Sequence, residues 1–125
     1  MKAVYLPDTI KLLEDNCFAF APELETVTLN PNIIRIKSGA LRGNNALGGK
    51  NNKVNITDET FPANLEILEV NALLNNDNLV LTRLPDSLIS IGAWALANCK
   101  NVSIEKLGKF SDNNSKLTTI SSNAF

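Results

Sequence analysis

The chain contains no histidine. That absence removes the side chain most used as a general base and as a metal ligand, and with it every Ser-His-Asp or Cys-His arrangement. Neither sign of charge is in excess: 12 basic and 13 acidic residues leave a net charge of -1. No overall field therefore draws in a nucleic acid, and no nucleic-acid partner is expected. Aromatic residues are scarce, and Trp94 is the one tryptophan. No apolar run approaches the roughly 18 residues that span a bilayer, so membrane insertion is not expected. The opening Met1-Lys-Ala-Val-Tyr-Leu-Pro7 lacks a signal-peptide apolar core of about 7–15 residues, so the chain reads as intracellular or as a piece of a longer protein.

What is present is apolar residues, 44% of the chain, enough for one packed domain spanning 1–125. They recur in a fixed pattern. With Leu88 as an anchor, apolar residues fall at Leu84, Leu88, Ile91, Ala95, Leu96, Val102, Ile104 and Leu107. The same template starts at Ile10, Ile33, Leu65 and Leu117, and each copy carries a small-then-large pair at a constant offset: Cys17-Phe18, Ala40-Leu41, Ala72-Leu73, Ala95-Leu96 and Ala124-Phe125. The anchors are 23, 32, 23 and 29 residues apart, a unit of 23 with insertions at about 42–53 and 108–115. Four anchors are preceded by a proline: Pro7, Pro31, Pro62 and Pro85. Self-similarity of this kind marks a solenoid, in which a unit buries its apolar face only against its neighbours. Within a unit the pattern reads as strand (4–6, 25–29), proline turn, short strand (10–13) and helical turn (16–20), with strands stacked in parallel.

The stretches Pro85-Asp-Ser-Leu-Ile-Ser-Ile-Gly-Ala-Trp-Ala-Leu-Ala-Asn-Cys99 and Leu117-Thr-Thr-Ile-Ser-Ser-Asn-Ala-Phe125 resemble the BspA-like leucine-rich repeats. The resemblance rests on the Ala-[Phe/Leu] pair, the cysteine four residues after its small member (Cys99), and the proline before each anchor, and it covers essentially the whole chain. It implies a β-rich α/β fold, a right-handed solenoid of about five units around a parallel sheet. It also implies a non-enzymatic module of a larger surface or adhesion-type protein, binding a protein, glycan or matrix partner at the cell surface or in a secreted setting. The alternative is a structural spacer or assembly segment with no ligand of its own.

Other motifs carry less. Asn75-Asn-Asp-Asn78 and Asp112-Asn-Asn114 lack the spacing and closing glutamate of a calcium loop, and no Lys-Ser/Thr follows Gly48-Gly49 as in a phosphate loop. The carboxylate pairs Glu23/Glu25 and Glu66/Glu69 fall where a solvated face predicts them. No catalytic residue, metal or cofactor is therefore expected. The sequons at Asn55, Asn101 and Asn113 are no more than an asparagine-rich chain gives by chance. Asn16, Asn71 and Asn123 precede the small-large pairs and suit turn geometry, and Trp94 stands in their place in the fourth copy.

Residues five before each anchor, Tyr5, Thr28, Thr60 and Arg83, should form one outward row, the candidate binding surface together with Trp94. For Trp94, packing on the adjacent turn is favoured over a binding contact. Cys17 and Cys99 should both point inward as free thiols, because units advance about 4.8 Å each and a disulfide needs Cα atoms within about 7 Å. Phe18 and Ile104 are expected in the same core. At the C-terminus, Ile120 and Phe125 lack a following strand and should be exposed or covered by a second copy, edge to edge or end to end.

Overall fold

The computed structural model describes residues 3–19, 26–43, 56–76, 79–107 and 117–125. Most of the two insertions, Leu24 and the Gly48-Gly49 pair lie outside them. Among the described residues there are nine short strands and no helix: β1 (Ala3–Tyr5), β2 (Leu12–Leu13), β3 (Thr26–Thr28), β4 (Arg35–Ile36), β5 (Ile67–Leu68), β6 (Leu81–Leu84), β7 (Ser90–Ile91), β8 (Val102–Leu107) and β9 (Thr119–Ile120). The strands pair in parallel throughout.

One wall of the stack is a five-stranded sheet in the order β2-β4-β5-β7-β9. Its register aligns Leu13, Ile36, Leu68, Ile91 and Ile120, each the third residue after its anchor. The spacing of the anchors is thus the spacing of the register. The other wall is discontinuous: β1 pairs with β3, β6 with β8, and a single bridge joins Thr57 to Val80 between them.

Between the walls the N–H of the first four anchors closes a turn onto the carbonyl three residues back, a proline in three of them: Ile10 to Pro7, Leu65 to Pro62 and Leu88 to Pro85. Pro fixes φ there and needs no donor of its own. In the second unit Asn30 takes the proline's place, and its buried side-chain amide reaches back to the Pro7 and Ile10 carbonyls at 2.8 and 3.0 Å. Ser87 does the same in the fourth unit, its hydroxyl donating to the Ala63 and Leu65 carbonyls.

The core is one cluster of Leu, Ile and Ala. Ile33, Leu65 and Leu88 are essentially fully buried, as are Ala40, Ala72 and Ala95, while Ile10 and Leu117 pack partly buried against them. Asn76 is buried one unit before Cys99, and the two are equivalent: Asn76 Nδ2 donates to the Leu41 carbonyl at 2.7 Å, and Cys99 Sγ to the Leu73 carbonyl at 3.2 Å. The position calls for a side-chain donor that bonds the preceding unit, which is the physical content of the family cysteine.

Several expectations need correction. The helical turn is instead a chain of single turns, because its N–H groups alternate between two destinations. Ala72 and Leu74 donate within the turn, to Glu69 and Asn71, while Asn71, Leu73 and Asn75 donate to Ala93, Ala95 and Ala97 of the next unit. A helix would need all of them. Cys17 is exposed, not inward, although it holds the place of the buried alanines; its unit has a neighbour on one side only in this structure. Cys99, Phe18 and Ile104 are half-buried for the related reason that they flank the cluster instead of filling it. Both thiols are free, and Ile120 and Phe125 are half-exposed.

Truncating the buried Leu96 to Ala should cost about 2–5 kcal/mol in denaturant unfolding; a cost near zero would contradict its place in the core. The thiols should differ: partial enclosure raises the Cys17 pKa against the pull of backbone hydrogen bonds, yet its exposure gives a maleimide access. Cys17 should therefore label before Cys99 in the native protein, and the reverse order would contradict the placement.

Candidate functional site

The outward row is only partly assembled. Tyr5 and Thr28 are direct register partners on β1 and β3, and both side chains face solvent. Thr60 is not on a strand: its hydroxyl accepts the Thr57 N–H at 2.9 Å inside a turn, so it serves local structure. Arg83 lies on β6, whose pairing with β8 shifts register between Leu81 and Arg83. The shift and the Thr57–Thr60 turn break the row, because a strictly repeating offset survives only where the strands repeat without irregularity.

Around Arg83 the break creates a concavity. A shallow cleft of about 310 Å³ is lined by Asp58, Phe61, Ala63, Arg83, Leu84, Pro85 and Asp86. Its floor is apolar, with Phe61 and Leu84 belonging to the core, and its rim carries two carboxylates and a guanidinium. Asp58 is held firmly: Thr82 donates its N–H to Oδ1 at 2.9 Å and its hydroxyl to Oδ2. Partial burial acts to raise the Asp58 pKa, but the Thr82 hydroxyl, the Thr82 and Arg83 amides and the nearby guanidinium outweigh it, so the carboxyl sits below its ordinary range. The cleft therefore presents a fixed anion beside an exposed cation. Asp58 was not singled out in the sequence, where its one signal is its place one repeat before Thr82.

Trp94 does not line this cleft; it stands beyond β7 at the opposite corner of the unit, with nearly half its surface in solvent. Of the acidic pairs, Glu69 takes an ion pair from Arg35 Nε on the solvated face; Lys37 Nζ likewise donates to Glu14 at 3.1 Å, and both contacts run between neighbouring units of the five-stranded sheet. Exposed pairs of this kind contribute little to stability and have no shielded cleft in which to move a proton. Glu23 and Glu25 lie outside the described residues. Among the described residues no group of three or more Cys, Asp or Glu side chains is placed to hold a metal ion, and no helix is long and apolar enough to cross a membrane.

The family model described as the BspA type leucine rich repeat region matches in six copies, over residues 1–48 and 50–125. No curated protein and no solved structure matches the chain.

The Asp58 arrangement has a consequence in acid. A carboxyl whose pKa is lowered on folding contributes stability above its ordinary pKa of 3.8, and the contribution is lost as pH falls through the folded value. As pH falls from about 3.8 towards that lower value, the thermal midpoint of the wild type should fall more steeply than that of D58N, which has no proton to take up. Superimposable acid limbs would show that Asp58 is not held as described.

Proposed function

The chain belongs to the BspA-type leucine-rich repeat family, and from that premise we propose that it is a non-enzymatic recognition module of a larger surface or adhesion-type protein, engaging a protein, glycan or matrix partner. Repeats of this family are generally non-enzymatic, and stacked repeats offer extended, rigid faces that tolerate substitution. The observation that carries the reading is the cleft on β6, where Arg83 and the pinned Asp58 stand over an apolar floor of Phe61 and Leu84. Fixed polar groups on an apolar base are what orient a bound partner. Tyr5 and Thr28 extend the polar surface of the same wall on β1 and β3.

Self-association belongs to the same reading as a second mode. Ile120 and Phe125 are each about half exposed, and a cleft of about 160 Å³ beside Phe125 is lined also by Leu96, Asn98, Cys99, Lys100 and Val102. A second copy stacked on this edge would continue the parallel pairing of β9.

Surface plasmon resonance against purified matrix proteins, together with a glycan array, tests the recognition reading. Saturable binding to at least one partner is expected, weakened at least about tenfold by R83E at unchanged thermal midpoint. Binding indifferent to R83E would remove the β6 cleft from the site; no saturable binding at all would leave the spacer alternative. Light scattering across a concentration series checks the second mode, for which growth in mass should be abolished by F125D.

A further inference from the structure

Each unit turns from the five-stranded sheet into its inter-unit turn through one residue with left-handed backbone: Asn16 (φ 55), Gly39 (φ 67), Asn71 (φ 62), Trp94 (φ 62) and Asn123 (φ 58). Asparagine and glycine enter this region at little steric expense, whereas a bulky side chain there is an outlier. In four units the position holds one of the two tolerant residues; in the fourth unit it holds the chain's one tryptophan. The N–H of Asn16, Gly39 and Asn71 each donate to the residue just before the next unit's left-handed position (Ser38, Val70 and Ala93), but the N–H of Trp94 donates one residue further on, to Asn123 at 3.1 Å.

The indole is nearly half exposed and stands outside the buried cluster, so core burial does not account for a tryptophan where the other units place asparagine or glycine. Backbone held in this region by a bulky residue is found at ligand contacts. The surroundings describe that ligand. Parallel units advance about 4.8 Å, which sets Asn71 on one side of Trp94 and Asn123 on the other, with Val70, Ala93 and Ser122 beside them and no charged residue in either register row of these three units.

We propose that Trp94, flanked by Asn71 and Asn123, is a contact site for a neutral saccharide. A sugar ring lays its C–H groups on the electron-rich face of an indole. Its hydroxyls are both donors and acceptors, as carboxamides are. Glu69, the residue before Val70, is already paired with Arg35, which leaves a charged peptide little to bind here; such a partner belongs to the Arg83 cleft. The proposal rests on the recognition reading above and assigns a second, chemically distinct face to it.

Because Trp94 is the only tryptophan, the protein's indole emission reports this site alone. Titration of the full chain with a panel of neutral oligosaccharides should give a saturable emission change with at least one of them. The N71G/N123G double variant, which removes both carboxamides but keeps residues that tolerate the left-handed backbone, should weaken it at least about tenfold. W94N, assayed by array binding, should lose the same saccharide while its thermal midpoint rises by about 3 °C as the strain is relieved. No saturable change with any neutral saccharide overturns the proposal, as does a change produced only by charged peptides. A W94N variant no more stable than wild type removes the strain argument. R83E should leave the saccharide titration unaltered, so failure here with R83E-sensitive binding elsewhere would leave the recognition reading standing.

Discussion

Everything in this molecule depends on how the inter-unit turn divides its backbone hydrogens. Alternate N–H groups point inward to close the turn and outward to the next unit, as Ala72 and Leu74 do against Asn71, Leu73 and Asn75. A buried backbone donor left unpaired costs far more than a made bond gains, so this division locks successive units together at fixed height. The other features follow from it. A left-handed residue must begin the turn to swing alternate amides outward. A small residue follows it directly, at Ala40, Ala72, Ala95 and Ala124, each of them buried. Gly92 shows how closely the units approach: a Cβ on it would stand 2.7 Å from the backbone of Glu69 and Val70.

The architecture was legible because it is written in the same residues that build it. Anchors 23, 32, 23 and 29 residues apart reappear as the register of Leu13, Ile36, Leu68, Ile91 and Ile120, insertions included. What a repeat pattern cannot carry is the identity of each unit's neighbours. Cys17 and Ala40 read alike along the chain, yet burial depends on what lies across the stack, and only the alanine is enclosed on both sides. The helical turn failed for a related reason: apolar spacing predicts which face is buried, not where the amide hydrogens go.

The candidate surfaces were less legible than the core. A row defined by constant offset assumes identical strands, and the wall that carries it is the irregular one. Thr60 falls into a turn, Arg83 follows a register shift, and Asp58 becomes visible only when Thr82 is seen to bind it. Trp94 was conspicuous in sequence as the exception to an asparagine position, but its backbone strain and exposure are three-dimensional facts. The two surfaces differ in kind, one charged over an apolar floor and the other aromatic among amides, and they sit on different corners of the unit.

The walls themselves are unequal. The five-stranded sheet runs unbroken through all the described units, while the opposite wall is split into two pairs and a bridge. Both insertions enter the chain on the flanks of that opposite wall, between Gly43 and Ile56 and between β8 and Leu117, and the five-stranded register resumes beyond each without a slip. The solenoid is therefore a spine with an editable side: length can be added to or removed from one face across generations while the other keeps count, so lineages of such repeats can diversify their surfaces without renegotiating their fold.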